Sequence, residues 1–429
     1  MLTISSTWSG LLEQFFPIFT QPGSHTFATL MTGWILCTTR KTITGILPFA
    51  DPLGLHAHDA YHRFLPDARW NVNGLWRILT LTLVARLCRR GVITLAIDDT
   101  LFRHSGRKID GASFWRDAVC STRNKTVYAW GLNLVVLTLQ IQPPWGGEPL
   151  GLPIHMRLHR KHQKTLIELA VEMIQEVRTW LPERKIRIVG DGFYAALAGK
   201  PLSEITMISR IRRDANLYDL PPKRRRKRRG RPRTKGKKLA KLEKMAAHIQ
   251  NWEWIEVRQR SKMIKRLVYS RIVLWPKVTK KPIQVLISRD PEGKEKDDFL
   301  FTTDVEMSVR EVLEVYGDRW AIEDTFKHTK QSLGAQQPQT YKCQGPERAA
   351  ALGLWLYSMV WFWYLTQRPH HRTFIVLPWY SQKRTPSFAD ALGCLRRQLW
   401  QERIKTMFGN STVHNQKYEF LIEALATAA

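Results

Sequence analysis

The sequence predicts an α/β fold, because strand-like apolar runs alternate with a helical pattern and acids follow two of the runs. The predicted elements are strands at 91–97, 128–141 and 151–158, a helix at 165–180 and a strand at 185–190. Asp98 and Asp99 close the first strand, and Asp191 closes the fourth. Three strands, a helix and a fourth strand, with acids closing strands one and four, is the order of a ribonuclease-H-like fold.

The acids after the first and fourth strands are candidate functional residues. Side chains at the carboxyl ends of strands in an α/β sheet meet at one edge, where ligands bind. A single aspartate there also fits a turn or a helix cap, but two at matching places favour a shared site. Asp98 and Asp99 compete for the first position, because alternation along a strand places neighbours on opposite faces.

The composition indicates a polyanionic partner. The chain has 429 residues, enough for two or three domains, and carries a formal net charge of +30 with a pI of about 10.2. Nucleic acid and anionic membranes are the partners that suit such an excess. Five scattered cysteines without metal-ligand spacing predict buried thiols in a reducing compartment. No secretory signal is apparent, since the first basic residue is Arg40.

Shifts in composition divide the chain into five segments. They are an all-helical N-terminal domain at 1–88, a first core part at 89–211, a basic run with a β-rich insertion at 212–298, a second core part at 299–367, and a C-terminal tail at 368–429 with one or two short helices and a candidate role in oligomerisation. The predicted architecture is therefore a ribonuclease-H-like core that is interrupted by a β-rich insertion and preceded by helices.

The insertion opens with a strongly basic run. Residues 223–233 are K-R-R-R-K-R-R-G-R-P-R, a block too charged to fold alone. Its core, with Arg229, Arg231 and Arg233, resembles an AT-hook, in which an extended Arg-Gly-Arg-Pro lies in the minor groove of A·T-rich DNA. General attraction to phosphates and a nuclear-import signal are the alternatives.

One apolar segment raises the question of a membrane span. Residues 349–366 are uncharged, rich in Trp and about long enough to cross a bilayer. However, Ser358 and several aromatic residues lie in the middle of the segment, which has no second apolar segment beside it. We therefore expect a fully buried core helix.

Residues 315–330 predict one helix with a polar ridge. At about 100° per residue, four side chains fall within about 60° of one another: Tyr316, Arg319, Glu323 and Lys330. Asp318 and Asp324 lie off that ridge. One carboxylate between two cations would suit a metal beside phosphates, whereas charge pairing on an exposed helix is the alternative.

The spacing Tyr316-x2-Arg319-x3-Glu323-x6-Lys330 resembles the Y-x2-R-x3-E-x6-K signature of bacterial insertion-sequence transposases of the DDE class. Asp98 and Asp191 are similar to that family's two aspartates, and Asp98 is preferred to Asp99 because the family pattern is Asp, a variable residue, then Thr. The long separation of Asp191 from Glu323 matches the β-rich insertion of this branch, and the leading helices also resemble the family.

The resemblance implies a metal site and a set of DNA contacts. Asp98, Asp191 and Glu323 would be catalytic and bind two Mg²⁺ ions, for which Mn²⁺ would substitute. Three distant carboxylates suit Mg²⁺, which takes oxygen ligands. The DNA-binding residues expected from the signature, the basic run and the insertion are Tyr316, Arg319, Lys327, Lys330, Arg229, Arg231, Arg233, Trp252 and Trp254.

The same resemblance implies a cut-and-paste DNA transposase. It would act as a homodimer in a synaptic complex with double-stranded transposon ends and target DNA. The helical start would bind DNA, and the protein would be bacterial, cytoplasmic and nucleoid-associated, with no membrane partner. The alternative is a domesticated, non-catalytic DNA-binding protein derived from a transposase.

Overall fold

A mixed β-sheet forms the centre of the fold. The structure, a computed structural model, describes residues 7–122, 124–202, 204–222, 233–376, 378–408 and 416–427. The strands are β1 (Ile93–Arg103), β2 (Ser113–Arg116), β3 (Tyr128–Ile141), β4 (Leu150–His159), β5 (Ile186–Gly190), β6 (Ile205–Arg210), β7 (Glu253–Gln259), β8 (Lys262–Leu274), β9 (Pro282–Arg289) and β10 (Asp298–Thr302). The helices are α1 (Trp8–Glu13), α2 (Gln21–Leu36), α3 (Ile43–Ala50), α4 (His58–Phe64), α5 (Val72–Leu87), α6 (Leu166–Trp180), α7 (Leu242–His248), α8 (Val309–Asp318), α9 (Ala321–Gln331), α10 (Gly345–Thr366), α11 (Phe388–Phe408) and α12 (Gln416–Thr427).

The strand order agrees with the predicted α/β class and is consistent with a ribonuclease-H-like fold. The sheet runs β2-β3-β1-β5-β6-β10-β9-β8-β7, and β4 also pairs with β3. Strands β1, β5 and β6 are parallel, β3 and β4 are antiparallel, and α6 lies between β4 and β5 in the chain. The strands expected in the insertion, β7 to β9, continue this sheet through β10 instead of forming a separate one.

Helices cover both faces of the sheet. On one face, His155 of β4 stacks on Trp76 of α5, and its Nε2 lies 2.6 Å from Oε2 of Glu176 in α6. On the other face, Val312 of α8 packs with Val189 of β5 and the neighbouring strands. These layers exclude water from both sides of the central strands, which explains why β3, β5 and the first five residues of β1 are mostly apolar.

The N-terminal helices share a hydrophobic core with the rest of the chain. The indole Nε1 of Trp34 in α2 donates to the carbonyl of Leu333, 2.7 Å away, and Nε of Arg396 in α11 donates to the carbonyl of Ile35 at 2.7 Å. Helix α11 has 21 residues, so the expectation of only short helices after residue 367 is wrong. The predicted domain boundaries and the role of the tail in oligomerisation stay predictions.

Helix α10 is the apolar segment that raised the question of a membrane span. In the part of the chain that the structure describes, it is the one helix long and apolar enough to cross a bilayer, and 94% of its most apolar 18 residues are buried inside the protein. Arg348 in its first turns donates to the carbonyls of Leu65, Ala68 and Trp70. Because the helix is covered by protein and fixed by these bonds, it is placed as a core helix.

Three local expectations are wrong: the single helix at 315–330, the end of the first strand at Asp98, and the burial of all the cysteines. Residues 315–330 form two helices, α8 and α9, instead of one, and β1 continues beyond Asp98 to Arg103 because β3 pairs with it along that length. The structure also contains β2, α4 and α7, which the sequence patterns do not predict. All five cysteines are free, but Cys120 and Cys343 are exposed, so the thiols are not uniformly buried.

Candidate active site

Asp98 and Asp191 follow the last residue pair of the parallel ladder between β1 and β5. That pair is Ile97 and Gly190, and Ala96 pairs with Val189 one position earlier. Paired residues of a parallel ladder point to the same face, and side chains repeat every two residues. Asp98 and Asp191 therefore stand next to each other on the face that carries α8, as the matching strand ends in the sequence predict.

Asp99 belongs to the opposite face of β1. The hydroxyl of Tyr194 donates to Oδ1 of Asp99 at 3.4 Å, and the side chain of Asn133 also hydrogen-bonds to this carboxylate. Asp98 instead accepts a bond from Arg319, which lies between α8 and α9. The two adjacent aspartates are thus separated by the alternation of the strand, and only Asp98 faces the two helices.

The break between α8 and α9 positions the Arg319 side chain. The backbone N–H of Arg319 donates to the carbonyl of Tyr316, and the N–H of Glu323 donates to that of Trp320, at 3.2 and 2.9 Å. Bonds over three residues tighten the chain relative to an α-helix. Glu323 consequently lies in the first turn of α9, where the helix dipole favours a carboxylate.

Arg319 joins two of the three predicted catalytic carboxylates. Its Nη1 donates to Oδ2 of Asp98 and its Nη2 donates to Oε1 of Glu323, both at 3.2 Å. Burial lowers the pKa of Arg319, but Tyr316, Asp98 and Glu323 outweigh it and raise that pKa above its ordinary value. The guanidinium therefore stays charged, and its buried Nε has no hydrogen-bond partner within the described residues.

The crowding of carboxylates leaves the site short of positive charge. Burial raises the pKa of Asp98 to about 7, and Asp191 and Asp99 add repulsion that Arg319 only partly offsets. The pKa of Asp99 is also raised, by burial and then by Asp191. Asp191 is oriented by the backbone N–H groups of Phe193 and Tyr194, at 2.9 and 3.3 Å from its Oδ1. Such a group of half-buried acids favours a bound cation.

The donor chemistry of the three predicted ligands fits Mg²⁺, which prefers carboxylate oxygens. Among the described residues, however, no three acidic, His or Cys side chains already lie close enough to hold a metal ion. The guanidinium of Arg319 stands between two of the three predicted ligands, Asp98 and Glu323. The carboxylates suit a metal by type, and Arg319 occupies the position of a positive charge among them.

Two residues predicted to contact DNA lie on either side of this centre. The ring of Tyr316 lies near the guanidinium groups of Arg210 and Arg319, at 5.7 and 5.8 Å from its centroid, and these residues line a cavity of about 180 Å³. Lys330 lies near the other end of α9, with its Nζ 5.8 Å from the ring centroid of Phe102. Burial lowers the pKa of Lys330 to about 8. The predicted ridge is therefore spread along two helices.

Sequence reasoning did not single out Arg210 or Arg260. Arg210 ends β6, the strand next to β5, so the rule that selected Asp191 could have found it. Arg260 lies in the turn between β7 and β8, and its guanidinium is 4.3 Å from the ring centroid of Trp320. No sequence pattern indicates that contact, because it depends on how the hairpin packs against α8.

The remaining predicted DNA contacts differ in accessibility. Trp252 lies under Arg289, 4.5 Å from its guanidinium, whereas Trp254 of β7 is 63% exposed. Lys327 and Arg233 are also exposed. Arg229 and Arg231 lie outside the described residues. Exposure thus makes Trp254 the more accessible of the two tryptophans.

Comparison with known proteins identifies the family. A family model described as DDE superfamily endonuclease matches residues 14–264, more than half of the chain. The matched region contains Asp98 and Asp191 and ends before Glu323, so it does not test the signature branch. No curated protein matches the chain. The extent of the family match shows that this chain belongs to the DDE superfamily of endonucleases.

Proposed function

We propose that this protein is a DNA transposase that binds the terminal inverted repeats of its element, cleaves the ends by metal-dependent hydrolysis and joins the 3′-OH to target DNA. DNA is the substrate class of the superfamily, and its members use a divalent metal, typically Mg²⁺. One observation carries the proposal. Arg319 unites Asp98 and Glu323, from distant segments, at the sheet edge that also bears Asp191.

Asp98, Asp191 and Glu323 are the proposed metal ligands and catalytic residues. Two Mg²⁺ or Mn²⁺ ions held by these residues would supply Lewis acidity for hydrolysis of a phosphodiester. The protein's part is to hold the carboxylates at one edge, where they are half-buried. Burial and mutual repulsion raise the pKa of Asp98, which makes its carboxylate dependent on a nearby cation.

Arg319, Tyr316 and Lys330 are the proposed contacts to the transposon end. The unpartnered Nε of Arg319 is a donor that a phosphate oxygen would satisfy, and a guanidinium offers a planar fork for that group. Tyr316 lines the same cavity as Arg319, so a strand that enters it meets both side chains. Lys330 would neutralise a phosphate farther along α9 as a point charge.

The proposed complex contains two protomers on double-stranded DNA, as the resemblance to insertion-sequence transposases implies. Lys327, Arg233 and Trp254 are exposed and therefore accessible to a duplex, and Arg229 and Arg231 add charge in the basic run. The exposed indole of Trp254 is the better candidate for stacking on an unpaired base.

The decisive experiment compares two neighbouring acids of α9. Full-length protein is incubated with labelled DNA from either side of its gene and Mg²⁺, and nicking is measured beside DNA binding. We expect Glu323→Gln to lose at least about 100-fold in cleavage with DNA binding retained, because it removes a ligand charge at the reacting phosphate. Asp324→Asn is the matched control and should cleave within a few-fold of wild type.

Two outcomes would contradict the proposal in different ways. Equal cleavage by wild type and Glu323→Gln would remove Glu323 from the catalytic set. Binding of the flanking DNA by wild type, with no cleavage in Mg²⁺ or Mn²⁺, would instead indicate the domesticated DNA-binding protein.

A further inference from the structure

We propose that the sheet edge opposite Asp98 and Asp191 binds a second segment of duplex DNA. The inference rests on the proposed function in one respect, which is that DNA is the polyanion. It concerns a groove that is separate from the candidate active site and from the signature residues. Two observations at this edge carry it.

The first observation is a wide groove beneath the parallel strands. The amino ends of β1, β5 and β6, the carboxyl end of β10 and the turn between β8 and β9 surround a cavity of about 1,310 Å³. Strand β5 separates this edge from Asp191 by five residues, roughly 16 Å at about 3.3 Å per residue. A duplex held at the catalytic edge therefore leaves this groove free.

The charge of the groove is strongly positive. Seven of its lining residues are Lys or Arg, against the three acids Glu183, Glu204 and Asp304. Glu204 is already paired with Arg178. Five of the cations form no ion pair within the described part of the chain: Arg184, Lys185, Lys200, Lys280 and Lys281. Unpaired cations facing one concave surface are the usual footprint of a phosphate backbone.

The second observation is that the described segments on either side of the basic run lie at this edge. The N–H of Tyr218 donates to the carbonyl of Leu274, the last residue of β8, at 3.0 Å. The N–H of Leu239 donates to the carbonyl of Leu217 at 2.9 Å, so the segments before and after the run are tied together. Eight of the ten residues 223–232 are Lys or Arg. The exposed Lys235, Lys237 and Lys238 follow them.

Duplex DNA fits this surface better than a membrane does. Binding at a membrane interface needs exposed aromatic or aliphatic side chains beside the cations. Among the exposed large apolar residues in the described part of the chain, Val92 alone lines the groove. The cations come from two separate parts of the chain, the groove and the described residues that follow the basic run. Lys238 of the latter pairs with Tyr218, beside the last residue of β8. Cleavage would thus take place at the edge with Asp98 and Asp191, and a second duplex would bind at the groove on the opposite edge.

The test compares two double variants of the full-length protein. Binding of a labelled random-sequence duplex is measured by fluorescence anisotropy at several NaCl concentrations. Each phosphate contact contributes about 0.9 to the slope of log affinity against log salt. We expect Lys280→Gln/Lys281→Gln to lower that slope by about 2 and to weaken binding by about tenfold. The control Lys244→Gln/Lys405→Gln removes the same charge from exposed positions elsewhere and should leave the slope unchanged.

The stoichiometry gives a second readout. Titration at low salt should give one more duplex per chain for wild type than for Lys280→Gln/Lys281→Gln. Slopes that are equal for the two double variants would overturn the proposed groove, while Mg²⁺-dependent cleavage would still stand. Tighter binding of duplex RNA than of DNA at the groove would also overturn it. Normal binding at the groove without any cleavage would contradict the proposed transposase activity and leave the proposed groove standing.

Discussion

Arg319 and Asp98 are 221 positions apart in the chain, yet Nη1 of the arginine lies 3.2 Å from Oδ2 of the aspartate. The same guanidinium reaches Glu323, so the charge of one buried cation is shared by two carboxylates. This contact places a cation between two of the three proposed metal ligands. It also makes Arg319 the residue whose replacement tells most about the site.

Removal of Arg319 should tighten metal binding. In Arg319→Gln the carboxylates of Asp98 and Glu323 lose their cation, and a metal ion no longer competes with it, so we expect Mn²⁺ to bind roughly tenfold more tightly. Calorimetric titration of the DNA-free protein measures this directly. Arg260→Gln is the control, because it removes a nearby cation that stacks on Trp320 instead. Weaker metal binding by Arg319→Gln would show that Arg319 supports the ligands.

The two adjacent aspartates should differ in catalysis. Asp98→Asn should lose metal-dependent cleavage by at least about 100-fold, because Asp98 shares its face with α9. Asp99→Asn should lose about tenfold or less, since Asp99 contacts Tyr194 on the opposite face. Cleavage rates with saturating Mg²⁺ give the comparison. The reverse order of the two losses would make Asp99 the first ligand.

The metal-free protein should lose stability as the pH rises from about 4 to about 7. Over that window Asp98 keeps its proton when folded, with a pKa of about 7, and has lost it when unfolded, with an ordinary pKa of 3.8. The folded state binds more protons, so a rise in pH favours unfolding. Urea unfolding in the presence of a chelator gives the free energy of unfolding of wild type and of Asp98→Asn. We expect the value for wild type, relative to that of the variant, to be roughly 1–3 kcal/mol lower at pH 8 than at pH 5. An equal difference at both pH values would contradict the raised pKa.

Arg348 should be among the most important polar side chains for stability. It is 4% exposed, and its loss would leave the carbonyls of Leu65, Ala68 and Trp70 without this donor. We expect Arg348→Ala to lower the free energy of unfolding by about 2–5 kcal/mol, measured with urea. Arg63→Ala, in a pair with Asp59 that is about two-thirds exposed, should cost less than about 1 kcal/mol. Similar losses for both would mean that the bonds of Arg348 are not stabilising.

Regular elements with a strong local pattern could be predicted from the sequence. The apolar runs at β1, β3 and β5 and the amphipathic spacing of α6 are local, so they do not depend on the rest of the chain. Short elements such as β2 and α4 were not predicted, because they are stabilised by tertiary contacts and not by local propensity. The break between α8 and α9 at Arg319 was also not predicted, because no Pro marks it.

The sequence by itself determined the α/β class, the resemblance to DDE transposases and the candidate carboxylates, since these depend on residue type and spacing. Only the tertiary structure decided that Asp98 and not Asp99 faces α9, because the strand pairing sets which face each side chain takes. It also decided that Arg319 bridges Asp98 and Glu323 and that the segments on either side of the basic run meet at the end of β8. Such proximities join chain segments that are far apart in sequence, so local residue patterns do not predict them.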